Sequence, residues 1–200
     1  MEFQDVVRKR CMVRAFEERP VPPELVQRIL SNAQRGPSSG FTQGFDFLVF
    51  EGPGETKRFW DATPWHGSFW AGARRAPLII VPVAHPQAYV DRYRAPDRAF
   101  VGRQFAEDFP APYWFIDAGL AAMLILLTAV DAGLGAFYFS IGPTSREIPA
   151  FRVAFGIPEA YYPIGAIAIG YPGAGDPSPP AEEMRRRLRA PESRIHRSRW

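Results

Sequence analysis

The sequence has few of the residues on which disulfide frameworks and metal sites depend. Its 200 residues include one cysteine, Cys11, which excludes an internal disulfide framework and a zinc site made of several cysteines. A single thiol also fits a reducing compartment, so we expect a cytoplasmic protein. The three histidines, His66, His85 and His196, are scattered without ligand spacing, and we predict no metal site.

Long apolar runs are missing as well. The longest, 118–130, is too short to cross a bilayer, and residues 1–10 mix acids and bases, so we expect no membrane segment and no signal peptide. The composition is instead that of a globular protein, with 46% hydrophobic, 14% aromatic and 22% charged residues. We predict one domain over residues 1–200, in which 173–200 form a C-terminal arm.

Positive charge is concentrated at the C-terminus. The net charge is +3, and residues 181–200 carry seven arginines against three glutamates, so the rest of the chain is close to neutral. Such a tail is a nucleic-acid arm, a solvated end or a clamp for a small anion. Because the tail lacks interleaved aromatic side chains, we predict no nucleic-acid partner and keep nucleic-acid binding only as an alternative from another class.

Hydrophobic spacing predicts helices that alternate with short strands, which is typical of an α/β or α+β protein. The predicted helices are 2–9, one that begins near Pro22 and ends at Gly36, 116–131, and 145–155, the last broken at Pro149. The predicted strands are 45–50, 76–83, 136–139 and 162–170, and 171–180 form a linker rich in glycine and proline.

The helix predicted over 116–131 is apolar on all sides and is capped by Gly133. It must therefore be covered on every face, as a central helix or as one shared with another subunit. Two stretches, 59–70 and 89–115, are dense in aromatic residues beside proline and glycine breaks. We expect about half of these rings in the core and the others in a lid or a pocket for flat substrates.

Two short patterns have the wrong surroundings for their usual chemistry. Gly36-Pro37-Ser38-Ser39-Gly40 matches a serine hydrolase elbow, but a helix precedes it and a strand follows it, the reverse of the required order. Gly133-Leu134-Gly135 also follows a helix and precedes a strand, which disfavours a dinucleotide-binding turn. We interpret both as turns that end helices.

Arginines at opposite ends of the chain form the clearest candidate binding site. Arg10 and Arg14 alternate in the extended stretch 10–16, and Arg187 and Arg189 repeat this spacing in the tail. The fixed fork of arginine binds phosphate oxygens in pairs, so four such groups together would hold a phosphate dianion. The alternative is that each is a solvated charge.

Taken together, these segments resemble the FMN-dependent nitroreductase family. Residues 10–16 with Pro20-Val21-Pro22 are similar to its opening motif, and Pro37-Ser38-Ser39-Gly40-Phe41-Thr42-Gln43 to its helix-to-strand loop. Gly133-Leu134-Gly135-Ala136, Gly170-Tyr171-Pro172 and Arg187-Leu188-Arg189-Ala190-Pro191 follow in family order. The resemblance implies an α+β nitroreductase-like fold with a central, mostly antiparallel sheet flanked by helices. It also implies a homodimer with the long apolar helix at its core and the C-terminal arm exchanged.

The resemblance also implies a flavin site at the dimer interface. Arg10, Arg14, Arg187 and Arg189 would bind the phosphate end of FMN, with a deazaflavin left open. Pro37, Ser38 and Ser39 would contact the flavin from the partner subunit. Ser140, Ile141 and Gly142 would bring backbone N–H groups to the reactive flavin nitrogen, and Asp117 would approach the cofactor or cap a helix. Cys11, Met12 and Phe41 depart from the usual residues at flavin-binding positions, and backbone amides would compensate at the first two.

The implied activity is a ping-pong reaction. NADH or NADPH would reduce FMN, which would then reduce a small electron-poor aromatic or a quinone, with no side chain as catalytic acid or base. Alternatives with the same fold are reductive dehalogenation and oxygen-dependent breakdown of the flavin. The arm, which ends at Trp200, is expected to pack on the partner subunit.

Overall fold

The computed structural model describes residues 1–179 and 181–199, and for Ala181 and Arg185 it describes the backbone alone. The predicted packing of Trp200 and the end of the predicted linker at Pro180 lie outside these residues. The α-helices in the described chain are α1 (Phe3–Lys9), α2 (Pro23–Ala33), α3 (Gly52–Asp61), α4 (Ser68–Ala71), α5 (Pro86–Arg94), α6 (Tyr113–Asp131), α7 (Ile148–Phe155) and α8 (Ala181–Arg186). The strands are β1 (Phe45–Glu51), β2 (Leu78–Ala84), β3 (Gly135–Phe139), β4 (Tyr162–Pro163) and β5 (Ala166–Gly170).

The strands form one sheet in the order β1-β2-β5-β3, and β4 pairs with the end of β2. Each of these pairs is antiparallel, in agreement with the predicted sheet. Every residue of β2 and of β5 is buried, so both faces of the sheet are covered. Because successive side chains point to opposite faces, β2 supplies Ile79 and Val81 to one core and Leu78 and Ile80 to the other.

The two cores differ in character. One core is aromatic and packs α3 and α7 against the sheet through Phe59, Trp60 and Phe151. The other core is aliphatic and packs α2 and α6 against the opposite face through residues such as Ile29 and Ile125. The result is a three-layer α+β arrangement, with helices on both sides of an antiparallel sheet.

Helix α6 is central to the aliphatic layer. It begins three residues before the predicted start, ends at Asp131, and is followed by Gly133 in the left-handed conformation (φ 74°), as predicted. Its 19 residues are long and apolar enough to cross a membrane by length and composition, so the length of 118–130 does not by itself exclude a span. Its buried alanines and its packing on α2 and the sheet are those of a core helix in a globular domain.

Three local predictions differ from the structure. Pro149 does not break a helix, because it lies in the first turn of α7, where its missing N–H has no helical acceptor to lose. The strand predicted over 162–170 is divided into β4 and β5 at 164–165. Helices α3, α4 and α5 lie in or beside the aromatic stretches and were not predicted, because their aromatic and proline residues mask the helical periodicity.

Candidate functional site

The extended stretch 10–16 lies between β3 and the segment that follows β5. The N–H of Val13 donates to the carbonyl of Ala136 at 3.0 Å, and Phe16 forms an antiparallel bridge with Pro172. Arg10 is half-buried, Cys11 is exposed, and Met12 packs against both hydrophobic cores. The sheet therefore fixes the backbone on which the predicted phosphate ligands lie.

Arg14 is the most firmly placed of the predicted phosphate ligands. Its guanidinium carbon lies 4.5 Å from the centre of the Phe137 ring, and its Nη1 donates to Ser178 Oγ at 2.9 Å. Its backbone N–H donates to Asp176 Oδ2 at 2.9 Å, and Asp176 Oδ1 accepts the N–H of Ser178 at 2.7 Å. The ring and the 176–178 turn together orient the Arg14 fork before any ligand binds.

The carboxylate of Asp176 holds this turn in place. Burial alone would raise the pKa of Asp176, but hydrogen bonds from Ser178 and from the backbone N–H groups of Arg14 and Ala15 lower it below its ordinary value. The carboxylate is therefore more stable in its charged form in the folded chain than in the unfolded chain.

Acidification should remove this contribution. A depressed folded-state pKa gives stability that is fully present above the unfolded value of 3.8 and is lost as pH falls through the folded value. We expect the wild type to be more stable than Asp176→Asn at pH 7, and the difference to shrink below about pH 4. Denaturant unfolding of both proteins between pH 7 and about pH 3 measures the difference in their free energies of unfolding. A difference that does not change with pH contradicts the stabilising role of the Asp176 carboxylate.

The loop of residues 37–43 packs beside α5 and α6. Ser38 Oγ accepts the N–H of Gln43 at 2.8 Å, and the N–H of Ser39 donates to Asp117 Oδ2 at 2.8 Å. Pro37 is exposed, and Phe41 presents a ring that is 78% exposed. The loop is thus a fixed surface feature whose apolar ring has no cover from the described residues.

The segment after β3 carries backbone N–H groups that have no acceptor among the residues that the structure describes. Ile141 is 2% exposed and Gly142 is also buried, yet within residues 1–179 and 181–199 neither N–H finds an acceptor. Ser140 is exposed, and its carbonyl accepts Nε1 of Trp65 at 2.7 Å. Glycine at 142 lets the backbone pack closely against Glu147, because a Cβ there would lie 2.6 Å from Cβ of Glu147. Buried N–H groups rarely remain unpaired, so these two are candidates for hydrogen bonds to a ligand.

In the described chain, the predicted arm ligands Arg187 and Arg189 pair within the arm and not with the stretch 10–16. Arg187 pairs with Glu183 one turn earlier in the arm, and Arg189 donates to the carbonyl of Ser193 at 2.9 Å. Both side chains are exposed. Arg10 and Arg14 thus lie on one extended stretch, whereas the contacts of Arg187 and Arg189 in the described chain are local to the arm.

The aromatic stretches divide much as the composition indicates. The rings in the core are Phe59, Trp60, Tyr89, Tyr93 and Phe109, whereas Phe69, Phe100, Phe105 and Phe115 are exposed. Trp65 and Trp70 are half-buried and stacked, with ring centres 4.6 Å apart, beside Ser140. The rings next to the unpaired donors are thus available to line a pocket for flat molecules.

Asp117 has a role that the sequence did not indicate. It is the fifth residue of α6, so it does not cap the helix, and it is 5% exposed. Its Oδ2 accepts both the N–H of Ser39 and the hydroxyl of Tyr89, the latter at 2.7 Å. Sequence reasoning missed these contacts, as it missed those of Arg14 with Asp176 and Ser178, because the partners lie far apart in the chain and share no spacing pattern.

A separate cleft of about 420 Å³ opens between α3 and the residues that precede α2. Its lining includes Glu18, Thr56, Trp60 and Arg75. It shares no residue with the three segments described above, so it is not the predicted binding site.

The antiparallel sheet between helical layers, the oriented Arg14 and the donors after β3 define an α+β protein with the nitroreductase-like fold. The model of the Nitroreductase family matches residues 7–171, which is most of the sequence. The chain therefore belongs to the nitroreductase family. This match confirms the family resemblance, the fold class and the oxidoreductase class predicted from the sequence.

Solved structures agree with this fold. NfrA2 of B. megaterium has a TM-score of 0.76 at 19% identity, over 100% of this chain and 75% of that one. A nitroreductase-like protein of Streptococcus mutans has a TM-score of 0.74 at 17% identity, over 98% and 97%. An FMN-dependent nitroreductase of Clostridium difficile R20291 has a TM-score of 0.69 at 20% identity, over 98% of each chain. At these identities the likeness shows the fold alone. Among curated protein sequences, none matches this chain.

Proposed function

We propose that this chain is an FMN-dependent oxidoreductase that transfers hydride from NADH or NADPH, through bound FMN, to an electron-poor aromatic compound or a quinone. The observation that carries the proposal is the pair of unpaired N–H groups at Ile141 and Gly142, in a chain of the nitroreductase family. A similar structure belongs to an FMN-dependent nitroreductase. Such donors suit a flavin ring nitrogen that gains electron density on reduction.

Two arginines of the extended stretch 10–16 fit the phosphate end of FMN. Arg14 presents a fork that is already oriented by Phe137 and Ser178, and Arg10 lies four residues earlier on the same extended segment. Arginine forks bind phosphate oxygens in pairs, and an oriented fork loses little freedom when it does so. Arg187 and Arg189 would join them from the arm of a second copy.

Bound FMN supplies the hydride chemistry, and the protein supplies position and charge. Arg10 and Arg14 would neutralise the phosphate, while the N–H groups of Ile141 and Gly142 would stabilise negative charge on the ring. Trp65 and Trp70 would stack with flat substrates. No side chain needs to act as an acid or base in this scheme.

An uncovered apolar stripe on α6 supports a homodimer. Ile116, Leu120 and Met123 follow one another at helical spacing and are each more than 40% exposed. Phe3 and Val7 on the neighbouring α1 are exposed as well. An apolar surface shared by two helices marks an association site, and a two-fold dimer covers it with its own copy.

The same dimer would complete the flavin site. The loop 37–43 and the arm both carry exposed apolar side chains, namely Phe41 in the loop and Leu188 and Ile195 in the arm. Within the described chain Arg14 is hydrogen-bonded to Asp176 and Ser178 at the start of the arm, but it pairs with neither the loop nor the arginines farther along the arm. A second copy would bring Pro37, Ser38 and Ser39 to the flavin, and its arm would bring Arg187 and Arg189 to the phosphate.

Flavin uptake tests the proposal directly. We expect purified protein to bind about one FMN per chain, to lose the oxidised flavin absorbance when NADH or NADPH is added without oxygen, and to regain it with a nitroaromatic or a quinone. Reoxidation only by a halogenated aromatic or only by oxygen would favour the alternative flavin reactions. Protein that takes up no FMN contradicts the proposal.

A further inference from the structure

The loop 37–43 forms three hydrogen bonds with side chains of α5 and α6, through Ser39 and Gly40. The N–H of Ser39 donates to Asp117 Oδ2 at 2.8 Å, and the hydroxyls of Ser39 and Tyr93 share a hydrogen bond of 2.8 Å. The carbonyl of Gly40 accepts Nε of Arg92 at 3.0 Å. Both the backbone and the side chain of the loop are therefore held by groups from two other elements.

The loop needs this support because its backbone is strained. Gly40, Phe41 and Gln43 all adopt the left-handed region, with φ of 65°, 52° and 53°. Glycine takes this conformation readily, whereas a phenylalanine and a glutamine do so at a steric cost. Strained residues of this kind persist only where their surroundings fix them, and they cluster at functional sites.

The groups that hold the loop are themselves fixed. Tyr89 is fully buried and donates its hydroxyl to the same Asp117 oxygen that accepts Ser39. Burial, followed by the hydrogen bond to Asp117, raises the pKa of Tyr89 above its ordinary value, so its hydroxyl remains a donor. Arg92 is held by two hydrogen bonds of 2.8 Å to the carboxylate of Asp97.

We infer that Asp117, Tyr93 and Arg92 are positioning residues that hold the loop 37–43 in its strained, flavin-contacting form. They act through Ser39 and Gly40 and do not touch the flavin themselves. The inference rests on the proposed function, in which this loop faces the flavin of the other subunit. In this arrangement α5 is a rigid support, or clamp, for the loop, and it is not part of the lid considered for the aromatic stretch 89–115.

Tyr93→Phe and Asp117→Asn test the clamp, with Tyr138→Phe and Asp61→Asn as matched controls. Tyr138 donates its hydroxyl to the carbonyl of Ile164 at 2.6 Å, and Asp61 pairs with Lys57, both away from the loop. Hydrogen exchange reports on the amides of 39–43, and titration of the flavin-free protein gives the Kd for FMN. Thermal melting and dimer content are measured for all four variants.

We expect amide exchange in the loop to be about tenfold faster in both test variants, and FMN to bind about five- to tenfold more weakly, the scale of one lost hydrogen bond. The controls should stay within about twofold of the wild type in both measurements. Exchange and affinity equal to those of the controls would overturn the inference.

The outcome also separates this inference from the proposed function. A wild-type protein that takes up no FMN contradicts the proposed function, and hydrogen exchange alone then decides whether the clamp holds the loop. A wild-type protein that binds FMN while both test variants bind it equally well contradicts the clamp alone. Because Tyr93→Phe removes only one hydroxyl, it remains informative if Asp117→Asn fails to fold.

Discussion

Replacing Arg14 and Arg189 together with alanine is expected to release FMN and to leave the dimer assembled. Hydrogen bonds to charged groups contribute about 1.5–3 kcal/mol each, so loss of two arginine contacts should weaken FMN binding by about 10²–10⁴-fold. Arg14 should contribute most, because Phe137 and Ser178 orient its fork before binding. Arg189 must first leave the carbonyl of Ser193.

The measurement is the Kd for FMN together with the ratio of flavin to protein after purification, with chain assembly followed by light scattering. The matched control is Arg8→Ala with Arg186→Ala, which removes two exposed arginines that pair locally with Asp5 and Glu182. The control should keep its flavin. Unchanged flavin content in the Arg14 and Arg189 variant would show that these side chains are solvated charges.

Leu120→Glu should convert the dimer to folded monomers that lose FMN. Leu120 lies at the centre of the exposed stripe between Ile116 and Met123, so in the proposed dimer a glutamate there would be buried without a partner. The cost is several kcal/mol, which weakens association by more than about 10³-fold. The single chain should tolerate the change, because the position is 42% exposed and glutamate favours helices.

Analytical ultracentrifugation and flavin content measure this effect. Val153→Glu on α7 is the matched control, because it places the same charge on a helix surface that is 84% exposed and lies outside the stripe. The control should remain dimeric and keep its flavin. A Leu120→Glu protein that stays dimeric would contradict the proposed interface, and one that is monomeric but keeps FMN would show that the site lies within one chain.

Local pattern predicted the elements that hold this fold together. The strand over 45–50, the buried strand that became β2 and the long apolar helix before Gly133 were all found, because burial of their side chains leaves a regular signal. The pattern does not predict helices α3 to α5, and it predicts one strand over 162–170 where the structure has two, β4 and β5. In these stretches aromatic, proline and glycine residues obscure the periodicity, and tertiary packing decides the conformation.

The candidate site was predictable only in part. The family resemblance predicts Arg14 and the segment 140–142 as site residues, and the structure adds the groups that orient Arg14, which are Phe137 and Ser178. Asp117 was noted, but as a helix cap or a cofactor contact. Its partners Ser39 and Tyr89 lie 78 and 28 residues away, too far for any local pattern to connect them.

The amino-acid sequence by itself determined the family, the α+β class and the order of the main elements, because these depend on residue types at short spacing. Only the tertiary structure decided which groups meet: the ring beneath Arg14, the unpaired N–H groups after β3 and the three-point grip on the strained loop. Hydrogen bonds and ring contacts form between atoms a few ångströms apart. Residues that are far apart in the sequence can meet in this way in the folded chain, and no local pattern then indicates the contact.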